Sequence, residues 1–413
     1  MKTLGLLGLM AWRNLWRNTH RTLLTAGTIS LGLALLLVSL GLGAGGDRQM
    51  LDSAVQMGGA HVAVQAPGYE ATHALDRTLP AERLPLVVAA LEDGGVHATA
   101  VLPRIYASGL ASSADGSSGV NIIGIDPVAE APVSAIDDRV VAGSFFGATG
   151  GNSAVVGAGV ARKLALTPGA KFVLMAQGAG SGDIQSLLVR VAGITRSNVE
   201  EIDQGAVFLP LATAQALTGL DGRIHQAAIF LDDIDDADRA AALLRTGSGV
   251  DVLTWEQLLP SQRDLLRLNL AGRILVNVAF FLIIAFLVLN TLLMSVVERR
   301  QEFALLDAVG VTPVRRFILV FLEGFWIASL SVGIGAVLGF AGHLYFQHYG
   351  LQLRRWFATG MSAAGSAMDP VLYSALPTNQ FVVTSAVIFF LTVVLALIPS
   401  WKAATEDDAH LLR

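Results

Sequence analysis

Four stretches of the chain are almost free of charge, and each is long enough to cross a bilayer. A hydrocarbon core about 30 Å thick needs roughly 20 apolar helical residues. The first stretch runs from Thr22 to Gly46 around LGLALLLVSLGLG, and the second, Ile274 to Val297, contains VAFFLIIAFLVLNTLLM. The third runs from Phe317 to Gly342 with Glu323 near its start, and the fourth from Phe381 to Ile398, ending at Pro399. A cleaved signal peptide has an apolar region of only about 7–15 residues, so the first stretch reads as a span. The pattern predicts an amphipathic elbow at 1–21, spans at 22–46, 272–297, 317–342 and 380–401, and a large domain at 47–271. A loop at 298–316, an outer loop at 343–379 and a tail at 402–413 complete it.

Between the first two spans the periodicity changes. Alternating or β-branched runs predict strands at HVAVQ from His61, GVNIIGI from Gly119, KFVLM from Lys171, LLVRVAGI from Leu187 and HQAAIFL from His225. Helices are expected at Ala81–Leu91, Val160–Leu166, Leu211–Leu217 and Ala237–Leu244. Mixed order of this kind predicts an α+β domain rather than a wound parallel sheet. The fold class is therefore a membrane α-helical protein of four transmembrane helices, with a large extracytoplasmic α+β domain inserted between the first and second.

Composition agrees: 53% of residues are hydrophobic, 15% are charged and the mean hydropathy is +0.58, whereas soluble chains are near a quarter charged. Lys and Arg flanking the spans set the orientation. Lys2, Arg13, Arg17 and Arg21 precede the first span, and Arg299, Arg300, Arg315 and Arg316 lie between the second and third. Lys402 and Arg413 follow the fourth, while Arg354 and Arg355 oppose the trend. Both termini are thus expected in the cytoplasm of a cell inner membrane. The net charge of −5 argues against nucleic acid as a partner, and the absence of Cys excludes disulfides and thiolate chemistry.

Motifs for chemistry are scarce. No Gly-Lys pair occurs, so a Walker A phosphate loop is absent. GLGAGG (Gly41 to Gly46) has the GxGxxG spacing but ends a span instead of joining a strand to a helix; small residues relaxing a helix end fit better. There is no HExxH pair and no GxSxG elbow, His343 and His348 lack metal spacing on one helix face, and no metal site is expected. The acidic run Asp232 to Asp238 lacks the turn glycine and closing Glu of a calcium loop, and reads as a solvated cap. Glu323 is an intramembrane carboxylate, by default a functional candidate; Arg315, Arg316 or water near the cytoplasmic surface would satisfy it. No catalytic residue is expected in this chain.

The loop ERRQEFALLDAVGVTPVRRF, from Glu298 to Phe317, carries the most specific pattern. Strong helix formers run from Glu298 to Val309, Gly310 stops them and Pro313 lies just beyond. Phe303, Leu306 and Val309 or Gly310 recur every three to four residues, an apolar face suited either to docking in a groove of a cytoplasmic partner or to resting on lipid. The loop resembles the E-R-x-x-E-hydrophobic-hydrophobic-x-A-x-G signature of FtsX/MacB/LolC-LolE type ABC transporter permeases, through Glu298, Arg299, Glu302, Phe303, Ala304, Ala308 and Gly310. Three more regions are similar to that family: the opening with Arg13, Asn14, Arg17, Arg21 and Thr25, the Glu323 position, and the ending with Pro399, Trp401 and Ala403.

The resemblance implies a dimerising permease, homo- or heteromeric, paired with a cytoplasmic ABC ATPase that binds ATP and Mg. ATPase coupling would fall on Glu298, Arg299, Glu302, Phe303, Leu306, Ala308 and Gly310. Within the family, IIGIDPVAEAPVSAI (Ile122 to Ile136), VVGAGVARKLALTPGAKFVLM with Lys171, Asp203 and Trp255 resemble the lipoprotein-releasing LolC/LolE branch. That implies extraction of lipoproteins or lipids from the outer leaflet, with Val38, Leu42, Phe280 and Phe281 as candidate acyl-chain contacts, or else contacts of bulk lipid. The proline-containing hairpin by which LolC recruits a periplasmic carrier has no counterpart in the Gly-rich stretch Ala176 to Ser186. Alternatives are efflux of amphiphilic drugs or peptides, FtsX-like force transmission to an outside enzyme, and a receptor without any ATPase.

Overall fold

A computed structural model describes residues 2–17, 19–56, 58–146, 152–180, 182–197, 200–245, 249–353, 362–363, 366–367 and 371–405, with the backbone alone at 2–7, 21, 200–201, 306–308, 362–363 and 366–367. Arg354, Arg355 and Arg413 lie outside the described residues, as do the side chains of Lys2, Arg21, Leu306 and Ala308. The chain forms two compact units. One comprises residues 1–48, 267–356 and 370–413; the other comprises 49–266 and 357–369.

In chain order the helices are α1 (Lys2–Arg17), α2 (Thr19–Gln56), α3 (Tyr69–Thr72), α4 (Leu84–Asp93), α5 (Pro127–Glu130), α6 (Ala158–Lys163) and α7 (Glu200–Gly205). They continue with α8 (Leu211–Thr218), α9 (Ala237–Arg245), α10 (Trp255–Leu258), α11 (Pro260–Glu298), α12 (Arg300–Ala308), α13 (Pro313–Tyr349) and α14 (Thr378–Thr405). Strands of the inserted domain are β1 (Val62–Gln65), β2 (Leu79–Pro80), β3 (Ala98–Ser112), β4 (Ser117–Ile125), β5 (Val140–Gly143) and β6 (Ser153–Gly157). After them come β7 (Lys171–Gln177), β8 (Ile184–Thr195), β9 (Ala206–Pro210), β10 (Arg223–Ile224), β11 (Gln226–Leu231) and β12 (Asp251–Thr254).

Among the described residues four helices, in α2, α11, α13 and α14, are long and apolar enough to span a membrane. All four outrun the apolar stretches. Helix α2 continues past Gly46 to Gln56, so the glycine run does not end a helix. Its glycines instead admit a crossing chain. A Cβ on Gly45 would collide with the Tyr373 carbonyl oxygen and one on Gly41 with Ser374 Oγ, while Ala375 N–H donates to Gly41 O at 2.9 Å. Likewise α14 runs through Pro399 to Thr405, with Ser400 Oγ donating to Ala396 O at 2.6 Å; proline is tolerated in spanning helices where neighbouring groups restore the bonding. Small residues bring α2 onto α13, where Ser30 Oγ donates to Ser331 O at 2.8 Å beside Gly335.

The inserted domain is built on one mixed sheet in the order β12-β1-β11-β3-β4-β9-β6-β8-β5, with β7 pairing both β3 and β8. The pairs β4/β9 and β6/β8 are parallel and the others antiparallel. Strand β3 carries both halves: Ala98–Arg104 pairs with β11, and Ile105–Ser112 with β4. One core gathers Ile105, Phe172, Leu174 and Leu209 under α6 and α8; a second gathers Val62, Ile229 and Leu244 under α4 and α9. A buried ion pair braces the domain: Arg104 Nε and Nη2 donate to Glu130 at 2.8 and 3.1 Å, and Nη1 donates to the Gly58 and Gly59 carbonyls at 2.7 Å. Burial opposes the Arg104 charge, but the Glu130 carboxylate outweighs it and holds its pKa above the ordinary arginine value.

Candidate coupling site

The loop between the second and third spans folds as a short helix held by its charges. Helix α11 ends at Glu298, Arg299 forms the turn, and α12 starts at Arg300, so Glu298 closes the span instead of opening the loop helix. Gly310 takes φ 87°, a left-handed conformation that suits glycine after a helix, and Pro313 opens α13. Arg299 is the centre. Its Nη1 donates to Glu323 Oε2 at 2.6 Å and its Nε to Glu302 Oε2 at 2.8 Å. Its guanidinium carbon lies 5.4 Å from the Phe303 ring centroid.

Two residues of α1 complete the cluster. Asn14 Nδ2 donates to the other Glu323 oxygen at 2.7 Å, and Arg17 pairs with Glu302. Four elements therefore meet through charge: α1, the Arg299 turn, α12 and α13. The Arg299 and Glu323 side chains are 10% and 9% exposed, so this pair is desolvated, whereas Arg17 and Glu302 are 60% and 43% exposed. Burial opposes the Arg299 charge, yet Glu323 and then Glu302 outweigh it and hold its pKa above the ordinary value. For Glu302, burial alone would raise the pKa; the hydrogen bond and charge of Arg299, and then Arg17, bring it below the usual carboxylate value.

The structure redistributes the residues expected at this site. Glu323 pairs with Arg299 and Asn14, groups outside the Arg315, Arg316 or water expected to satisfy it. Phe303 faces inward, buried with Val296, Val320 and Ala403, and so does not form an outward face. Among the described side chains of α12 and its glycine stop, Leu305 and Val309 are the outward apolar ones, 60% and 76% exposed and one turn apart. Of the candidate acyl contacts, Val38 and Leu42 are half-buried, and Phe280 and Phe281 pack against the membrane core. Leu275, Leu282, Ile283 and Phe286 are among the apolar side chains of α11 that stand open. The role of Asn14 was missed; its spacing of three from Arg17 on an amphipathic elbow is the available signal. Trp12, stacked edge-on to Trp326 at 5.1 Å, anchors the same elbow on α13.

Residues 22–246 match the MacB-like periplasmic core domain and residues 274–407 the FtsX-like permease C-terminal. The chain belongs to the MacB/FtsX/LolC type of ABC transporter permeases. An uncharacterised ABC transporter permease protein of Mycobacterium tuberculosis is 26% identical to this permease over 230 residues, covering 54% of it and 26% of that protein. The lipoprotein-releasing system transmembrane protein LolC of Xylella fastidiosa is 23% identical over 402 residues, 93% of the permease and 92% of that protein. The extracellular domain of the noncanonic ABC-type transporter YknZ superposes on 47% of the permease and 99% of its own length, at 17% identity and a TM-score of 0.33.

Proposed function

We propose that this permease is the membrane subunit of an ATP-driven complex in the cell inner membrane, with both termini cytoplasmic, a separate cytoplasmic ATPase bound at α12, and a second permease subunit beside it. The observation that carries the reading is the Arg299–Glu323 pair. It fixes a short helix to the spans by a desolvated bond while leaving Leu305 and Val309 open for a partner groove. A push on α12 would then be carried into α13 and α1 instead of being absorbed by a loose loop. A separate ATPase would supply the hydrolysis for which these residues lack a Walker A pattern.

The cargo we infer is a lipid-anchored protein or lipid taken from the outer leaflet. Support comes from the similarity to LolC along nearly the whole permease and from the apolar side of α11 with Leu282, Ile283 and Phe286. The test is vesicle reconstitution of the permease with its ATPase and a fluorescent lipid-anchored protein. ATP-dependent release supports extraction. Hydrolysis without release of any anchored protein overturns it and leaves force transmission to an outside enzyme.

A further inference from the structure

The inserted domain contains a cavity of about 950 Å³ formed wholly by its own residues, at the upper end of the range for ligand sites, roughly 300–1,000 Å³. Part of its lining comes from two side-chain amides that the sheet register places opposite each other. Gln65 closes β1 and Gln226 opens β11, and the Gln65 Nε2 donates to Gln226 Oε1 at 3.3 Å. Gln65 is 1% exposed, yet among the described residues its Oε1 has no hydrogen-bond partner. Buried acceptors are almost always paired, and an orphan one on a residue at a cavity wall is accounted for by a donor that arrives with a ligand as the amide turns to meet it.

We propose that this cavity binds an extended polypeptide segment poor in carboxylates, with a backbone N–H donating to Gln65 Oε1. Asn121 and Gln177 add amides to the lining, and each amide offers both a donor and an acceptor, the pair a peptide group needs. Ile123 and Leu259 give the same lining apolar surface for side chains. Among the described residues of the lining the charged ones are Glu70 and Asp76, with no Lys or Arg. Neutral and cationic segments are thereby favoured over acidic ones. The inference goes beyond the cargo reading above: it needs neither the ATPase nor a lipid anchor, and binding alone tests it.

The experiment is calorimetric titration of the full-length permease in nanodiscs. The probes are an N-acetylated, C-amidated hexapeptide with two lysines, its counterpart with two glutamates, and a neutral trisaccharide. The lysine peptide should bind at least tenfold tighter than the glutamate peptide, and Gln65→Met should weaken it at least tenfold with the thermal midpoint unchanged. Should Gln65→Met unfold the domain, the Glu70→Gln/Asp76→Asn pair replaces it and should erase the preference for lysine. Unchanged binding in the variant that folds, saccharide binding without peptide binding, or no peptide binding at millimolar concentration each overturns the proposal. ATP turnover measured in the same nanodiscs reports separately on the coupling reading.

Discussion

Replacing Arg299 by methionine leaves the Glu323 carboxylate buried with Asn14 as its remaining described hydrogen-bond partner. The wild-type contact is 2.6 Å between side chains that are 10% and 9% exposed. Charge centres about 4 Å apart interact by about 4 kcal/mol at an effective dielectric constant near 20, and breaking one side of a buried pair typically costs about 3–5 kcal/mol. Removing both partners costs less, because no charge is left stranded. Arg299→Met and Glu323→Met should each destabilise the permease by about 3–5 kcal/mol, and the double variant by well under their sum. SDS-titrated unfolding of purified permease measures all four corners of this cycle. If the single effects add to within about 0.5 kcal/mol, the pair is not coupled and Arg299 does not tie α12 to α13.

Other substitutions give contrasting magnitudes. Glu302→Gln breaks contacts to a half-open carboxylate and should cost under about 1 kcal/mol in the same titration, as exposed bridges do. Arg104→Met strands the fully buried Glu130 and frees the Gly58 and Gly59 carbonyls. It should cost about 3–5 kcal/mol and speed protease cleavage next to Gly58–Gly59. Burial lowers the pKa of His61, against a smaller upward pull from Asp233, and lowers that of His225 against a backbone bond to Leu75. A folded-state pKa below the unfolded value of about 6.5 gives stability that is complete above pH 6.5 and lost as pH falls below it. The amides of Leu231 and Tyr106, which donate to the Nδ1 atoms of His61 and His225, should lose hydrogen-exchange protection as pH falls below about 6.5.

Span number and the α+β character of the inserted domain were legible because both are written in periodicity. The five strands expected from alternation are all present, as β1, β4, β7, β8 and β11, with His61 and His225 falling one residue before β1 and β11. The longest strand, β3, was not legible. Its sequence ATAVLPRIYASGLAS carries Pro103, which argues against a central strand. Among the described residues Pro103 is paired on one side only, to Ala227 of β11, because β4 begins its pairing at Ile105. The coupling loop was legible as a helix with a glycine stop, but the direction of its apolar face was not. Spacing alone placed Phe303 outside, whereas it is buried with Val296 at the end of α11, Val320 of α13 and Ala403 of α14. The Asn14–Glu323 bond joins residues 309 positions apart, a separation no local pattern encodes.

In the proposed function, α12 is the place where a separate motor acts. The direct measurement is co-purification and ATP turnover of the cytoplasmic ATPase with wild-type permease and with the Leu305→Asp/Val309→Asp variant. These two side chains are 60% and 76% exposed, so the variant should fold as the wild type does while losing the ATPase and its permease-dependent hydrolysis. A permease that binds no ATPase, or a variant that binds and drives hydrolysis as well as wild type, contradicts it.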